Sequence, residues 1–323
     1  MKIDVHVHYF PMAYIEELQR LAEDTPRDRA WSKIIKDKIL ATPSMWSIEA
    51  RLPQMDSAGI DVQVLSISIP HVYFPDVGKS VALAQMTNDD LAAVCARYPT
   101  RFAAFATVPL NSPKHAIDEM RRAIGQLGLH GITIGANVRG KPLNSPEFME
   151  FYQEADRLGA AIFIHPMIPA GIEILDEFDL AANTGYLFDT TVAAARLVFS
   201  GVFEKNRNIK LILPHLGAVI PYTIGRIDAS YRTRPECRLN IDRPPSEYFK
   251  RFYYDSVNPH QAALRCALET FGPSQIVLGS DYPFALADVS RILASIRELR
   301  LPSSDENGIF GQNILQVLPI RQG

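Results

Sequence analysis

Lys2-Ile3-Asp4-Val5-His6-Val7 is a β-branched run, and His8 follows it, so that two histidines stand one pleat apart. Alternate residues of a strand point to the same side, so His6 and His8 face one way. In a closed barrel that side is the interior, at the C-terminal end of the strand, where barrel enzymes place their sites. Two imidazoles in this relation can bind a single divalent metal. Seven more runs of the same kind follow: Asp61–Ser66, Phe102–Val108, Gly131–Ile134, Ala160–Ile164, Ile209–Leu213, Phe252–Asp255 and Gln275–Gly279. Most are nearly continuous in apolar residues rather than alternating, which suits parallel strands covered on both faces. Helical patterns fill the gaps, among them Ser80–Arg97, Ser112–Leu127 and Ser145–Leu158. The last two open on Ser-Pro and stop at Gly128 and Gly159.

Eight strands separated by helices predict an α/β fold, a (β/α)8 TIM barrel. An open doubly wound sheet would want a glycine-rich phosphate loop after the first strand, and His6-Val7-His8 stands there instead. The gap between the first two strands is too long for a simple crossover. Residues 9–59 hold helical, charged and Trp-containing stretches (PMAYIEELQRLAED, then RAWSKIIKDKIL), read as a small insertion folded over the barrel mouth. Residues 1–323 otherwise read as a single domain, with no internal repeat or flexible linker.

Composition narrows the function classes. With 47% hydrophobic and 21% charged residues the chain is neither disordered nor fibrous. Its 33 Lys+Arg against 36 Asp+Glu, a net charge of -3, lacks the basic excess of a nucleic-acid binder. No apolar run reaches the ~18 residues of a membrane helix, and the opening residues turn polar at once, without a signal-peptide core. Cys95, Cys237 and Cys266 are odd in number and far apart, so neither a disulfide framework nor a cysteine zinc site is expected. A cytoplasmic location follows as the expectation.

Other strand ends repeat the pattern of the first. The fifth runs into Phe163-Ile164-His165-Pro166, the sixth into Leu213-Pro214-His215-Leu216-Gly217, and the eighth into Gly279-Ser280-Asp281-Tyr282-Pro283-Phe284. Barrel closure would bring His6, His8, His165, His215 and Asp281 to one cavity. His71, His115 and His130 are read as surface or capping residues, and His260 follows the seventh strand.

These features together resemble the amidohydrolase superfamily, and within it the aminocarboxymuconate semialdehyde decarboxylase-like family. The similarity is carried by MKIDVHVHYFP, by Arg51-Leu52-Pro53-Gln54-Met55-Asp56, by the FIHP segment, by GVFEKNRNIKLILPHLGAVIPYTIGRID and by LGSDYPF, and runs from Met1 to about residue 317. The resemblance implies that His6, His8, His165 and Asp281 are metal ligands and that His215 is an acid/base holding the water on the metal. The fourth strand ends Gly131-Ile132-Thr133-Ile134-Gly135-Ala136-Asn137, without the bridging lysine of two-metal relatives, so one divalent ion is expected. Zinc is the first expectation, and manganese also fits mixed nitrogen and oxygen ligands.

The expected activity is a non-oxidative decarboxylation of an unsaturated or aromatic carboxylate, such as an aminocarboxymuconate semialdehyde or a hydroxybenzoate. Such a reaction needs an electron sink and then a proton for the carbon that loses CO2; His215 and Asp281 are the candidates to supply it. The alternative is a hydrolase of a lactone, amide or ester that uses the metal-activated water. Arg51 and Arg234 match arginines that bind substrate carboxylates in the semialdehyde decarboxylases, the second from a neighbouring subunit. A homodimer is therefore expected, and arginine has the planar fork for the task. Tyr9 and Phe284 directly follow ligands and are expected to line a pocket for the small-molecule carboxylate substrate. Neither nucleic acid nor membrane is expected as a partner.

Overall fold

A computed structural model describes residues 1–21, 35–169, 171, 174–175 and 177–320. Eight strands form its main sheet: β1 (Ile3–His8), β2 (Val62–Ser66), β3 (Phe102–Thr107), β4 (Gly131–Gly135), β5 (Ala161–His165), β6 (Lys210–Leu213), β7 (Tyr253–Asp255) and β8 (Ile276–Val277). They pair in chain order, each parallel to the next. Closure runs through the backbone after β8. The Leu278 carbonyl accepts from Val5 N–H (2.9 Å), Tyr282 carbonyl from His8 N–H (2.7 Å), and Asp281 N–H donates to His6 carbonyl (2.8 Å). The eighth strand is shorter than the predicted Gln275–Gly279, because the Leu278 amide donates to the Ile309 carbonyl (2.8 Å) and the Gly279 amide to Ser256 Oγ (3.1 Å) rather than to a neighbouring strand.

Helices cover the outside. Val77–Arg97 follows β2, Pro113–Gly125 follows β3, Met149–Leu158 follows β4, and Tyr186–Phe199 follows β5. The first begins three residues before the predicted Ser80, because Asp76 is its cap and accepts from the Lys79 amide at 3.1 Å. At Ser145 the Ser-Pro start opens a short 3-10 turn, Pro146–Phe148, before the α-helix that Gly159 ends in a left-handed conformation. Within the segment after β1, helix Met12–Leu21 and helix Ile48–Ala58 are described, and the second leads directly into β2 as its crossover. The predicted helical stretch 29–40 begins in 22–34, which lies outside the described residues.

The register of β1 shifts between Asp4 and Val7, so that Ile3 opposes Val62 and His8 opposes Ser66 with one extra residue in between. Such a bulge inserts one residue and redirects its neighbours. Ile3 and Val5 consequently pack in one buried cluster with Val62, Val64, Phe105 and Phe163, which Ile314, Leu318 and Ile320 cap from the C-terminal end of the chain. A second and larger cluster joins the outer faces of the strands to the helices. Each fully buried Val, Ile or Phe in these layers contributes about 1.5–3 kcal/mol.

Candidate metal centre

His6 and His8, on consecutive inward turns of the β1 pleat, are both fully buried. His165 ends β5, and Asp281 sits in the loop after β8. One ligand atom from each of these four residues lies within 4.8 Å of all the others. The core of the group is a triangle: His6 Nε2 to His8 Nε2 is 3.1 Å, His8 Nε2 to Asp281 Oδ1 is 2.9 Å, and His6 Nε2 to Asp281 Oδ1 is 3.3 Å. Ligands bound ~2.0–2.1 Å from one ion take up spacings of this order.

Ring orientation fits the same purpose. His6 Nδ1 pairs with Asp255 Oδ2 at 2.6 Å, and His165 Nδ1 donates to the Pro166 carbonyl at 2.9 Å. With Nδ1 carrying the proton, the Nε2 lone pair of each ring is left for the centre, the usual arrangement around a metal-ligating histidine. His6 Nε2, His8 Nε2 and Asp281 Oδ1, 2.9–3.3 Å from one another, form a compact set of donor atoms that a shared cation can hold together. The residues present therefore fit a divalent metal ion.

Charges inside the group are sharply divided. Burial works to lower the His6 pKa, but Asp281 and Asp255 outweigh it and raise it to about 10. Burial lowers His8 to about 4, and burial with the neighbouring His8 and His6 takes His165 well below the ordinary range. Burial opposes ionisation of Asp281, yet His6 and the bonds from His215, His6 and His8 hold its carboxyl well below the usual carboxylate range. Two carboxylates thus favour positive charge in a buried place, which is what a divalent ion supplies.

His215 follows β6. Its Nε2 lies 3.7 Å from Asp281 Oδ2, and its backbone amide donates to Asp255 Oδ1 at 2.7 Å. The two oxygens of Asp281 therefore face different neighbours, Oδ1 the histidines of β1 and Oδ2 His215. The His215 and Asp281 side chains keep 14% and 16% exposure, whereas those of His6 and His8 keep none, so the group opens on the His215 side. His215 and Asp281 both have left-handed backbones, φ +56° and +63°. Non-glycine residues in this region are strained, and such strain clusters at functional sites. Close packing supports the arrangement: a Cβ on Gly279 would lie 2.6 Å from Asp255 Cβ and 3.0 Å from His6 Cβ, so only glycine fits between them.

The other expected site residues are placed as follows. Arg51 is fully buried; its Nε donates to Gln63 Oε1 (3.0 Å), and its Nη1 donates to the carbonyls of His8 (2.6 Å) and Ser44 (3.0 Å). Its guanidinium lies 5.0 Å from the Tyr282 ring centre, and Nη2 has no partner among the described residues. Phe284 is half-buried with its ring 5.1 Å from that of His8. Tyr9 is buried and its hydroxyl donates to Asp90 Oδ1 at 3.2 Å. Arg234 is not brought to the group within one chain: its side chain is 66% exposed and lies 4.0 Å from Glu236.

Three residues belong to this region without having been read from the sequence in that role. Asp255 ends β7, fully buried, and ties the His6 ring to the His215 backbone. An acid at the end of a barrel strand was a signal in Phe252-Tyr253-Tyr254-Asp255. Asp4 takes the Ser280 hydroxyl at 2.5 Å and the Ser280 amide at 3.0 Å, fixing the residue before Asp281. Burial outweighs these bonds and raises the Asp4 pKa to about 7. His71 was expected at the surface or in a cap; it is fully buried instead, its ring centre 6.2 Å from that of His165. His115 does sit at a helix start, with Nδ1 2.8 Å from Ser112 Oγ.

A parallel barrel with nitrogen and carboxylate ligands converging at its C-terminal strand ends defines a class of metal-dependent barrel enzymes. Within that class, the amidohydrolase family profile matches residues 3–320, and the chain belongs to this family. A 2-amino-3-carboxymuconate-6-semialdehyde decarboxylase of Dictyostelium discoideum is 31% identical, over 98% of this chain and 91% of its own. The solved 5-carboxyvanillate decarboxylase of Sphingomonas paucimobilis superposes with a TM-score of 0.91 at 26% identity, over 99% of both chains. A dihydroxybenzoic acid decarboxylase of Polaromonas sp. JS666, solved with manganese and the inhibitor 2-nitroresorcinol, gives a TM-score of 0.83 at 25% identity, over 98% of this chain and 96% of its own. Among the described residues no helix is long and apolar enough to cross a membrane, and all three cysteines are free.

Proposed function

We propose that this chain is a metal-dependent, non-oxidative decarboxylase of an unsaturated or aromatic carboxylate, of the aminocarboxymuconate semialdehyde or hydroxybenzoate kind. The observation that carries the reading is the convergence of His6, His8, His165 and Asp281 beside His215, in a chain similar throughout its length to decarboxylases. One divalent ion, zinc or the manganese named for the Polaromonas relative, would be held by these four residues. When bound it polarises substrate oxygens and takes up charge as the carbon–carbon bond breaks.

The chain's own residues divide the remaining work. Asp255 orients His6 and holds the backbone that carries His215. As CO2 leaves, the electron pair of the broken bond stays on the ring or alkene carbon, which must gain a proton. His215 delivers that proton, steered by Asp281 Oδ2, from the open side of the group. Arg51 would meet a substrate carboxylate through Nη2, which has no partner among the described residues, while Nη1 holds the His8 carbonyl at the end of β1 and Nε holds Gln63 of β2. Arg234 would act from the neighbouring copy in a homodimer. Phe284 offers a ring face beside His8; Tyr9 would contribute its ring, since its hydroxyl is engaged by Asp90.

The test is CO2 release from a panel of ortho-hydroxybenzoates and muconate semialdehydes by the metal-loaded protein. Stoichiometric CO2 with the decarboxylated product is expected from at least one of them. Formation of a new acid from a lactone, amide or ester, with no CO2 from any carboxylate, contradicts the reading.

A further inference from the structure

His71 lies in the loop after β2, fully buried, with neither Nδ1 nor Nε2 partnered among the described residues. A buried polar atom without a partner is costly, and this ring has two. Nevertheless its position is built with care. The His71 amide donates to the Ser68 carbonyl at 2.8 Å, and the His71 carbonyl accepts from the hydroxyl of Tyr14, itself fully buried in helix Met12–Leu21, at 2.8 Å. The backbone between them is left-handed, φ +56°. The imidazole stacks on Tyr73, with ring centres 5.4 Å apart at 12°, and Tyr73 is pinned in turn by the Gly135 amide at the end of β4. One face of the ring is therefore covered, and its nitrogen-bearing edge is what remains.

That ring stands 6.2 Å from His165 at an angle of 63°, between the ends of β2, β4 and β5. A buried charge needs a partner, and this ring has none among the described residues, so it is carried neutral. A neutral imidazole offers one donor and one acceptor. A hydroxyl group offers the same two functions in return, whereas a carboxylate only accepts.

We propose that His71 is a substrate-binding and specificity-determining residue, whose imidazole edge hydrogen-bonds a hydroxyl substituent of the substrate held at the His6–His8–His165–Asp281 group. This rests on the reading of that group as the site of a carboxylate substrate. A site built to bond a hydroxyl rejects the analogue that lacks it, because its own polar atoms are then left unpaired.

The test compares binding of 2-nitroresorcinol with that of 2-nitrophenol, which lacks one ring hydroxyl, by calorimetry on the manganese-loaded protein. The wild type is expected to prefer the first by at least about fivefold. In His71→Phe, which keeps the stacking on Tyr73, the ratio should fall to near one, and His71→Asn should recover part of it. The melting temperature of His71→Phe should be unchanged or higher, since an apolar ring replaces unpaired polar atoms. An unchanged ratio in His71→Phe overturns the inference, as does equal loss of both ligands or failure of the variant to fold, which would mark a structural role. Wild type that binds neither ligand, or both equally, also overturns it. Should discrimination through His71 hold while no carboxylate releases CO2, this inference stands and the decarboxylase reading alone fails.

Discussion

Two halves of the same barrel are built from the same strands to opposite rules. In the lower half, Ile3 and Val5 of β1, Phe163 of β5 and Ile212 of β6 fill the interior with hydrocarbon, sealed by Ile314, Leu318 and Ile320. A few residues further along, β1 carries His6 and His8, β5 ends in His165 and β7 ends in Asp255. There the interior is equally buried but polar, with charges paired over distances of 2.6–3.7 Å. His215, Asp281 and His71 hold left-handed backbones in this half. Stability is thus concentrated below and strain above, as expected of a scaffold that holds a reactive group rigid. His6 joins the two halves, its ring 4.9 Å from Phe163 on one side and its Nε2 in the ligand triangle on the other.

If this division is right, substitutions in the two halves must fail differently. The largest effect is expected at a ligand. His165→Ala should lose the metal and reduce CO2 release by more than about 10⁴-fold, the full contribution of the centre, with the fold retained. Metal analysis, circular dichroism and turnover on one preparation check this. His215→Asn should keep near-full metal occupancy and lose about 10²–10⁴-fold in turnover; metal loss in proportion to activity would make it a ligand instead. Asp255→Asn should weaken metal affinity by about 10–100-fold, because the His6 ring loses its orienting partner. Competition against a chelator of known affinity measures it, and unchanged affinity would remove Asp255 from the centre.

In the lower half, Ile212→Ala should cost about 2–5 kcal/mol in unfolding free energy while leaving metal content and turnover per folded molecule unchanged. Activity loss beyond the unfolded fraction would show that the halves are not separable. The smallest effect is expected at the outer helices. Glu154 accepts from Arg157 and Arg121, whose bonds outweigh burial and hold its pKa near 2, against 4.5 for a free glutamate. A depressed acid contributes stability above its unfolded pKa that is lost as pH falls towards the folded one. Glu154→Gln should therefore be less stable than wild type near neutrality. The difference should close between about pH 4.5 and 2, with no change in metal binding.

The lower half and the convergence of His6, His8, His165 and Asp281 were legible in the sequence because both follow local rules. Continuous apolar runs mark strands covered on both faces, and His6-Val7-His8 marks one side by alternation. What escaped depends on tertiary placement. The bulge in β1 cannot be seen in Asp4-Val5-His6: plain alternation would put Asp4 beside the two histidines, and it holds Ser280 instead. Asp255 ends one of the shortest strands, where no period exists to show which way it faces. His71 sits in Ser68-Ile69-Pro70-His71, which reads as an ordinary turn. Only packing against Tyr73 and Tyr14, 2 and 57 positions away, makes it buried. The start of Val77–Arg97 was misplaced for a smaller reason, since Asp76 and Ser80 are both competent caps and the fold uses the first.

The central claim is that one divalent ion at His6, His8, His165 and Asp281 is required for decarboxylation. The most direct measurement is metal content per chain alongside CO2 release, taken before chelation, after it, and after adding back zinc or manganese. One ion per active chain is predicted, with CO2 release abolished by complete chelation and restored by the returned ion. Two ions per active chain, or CO2 release that survives complete removal of metal, would contradict the account.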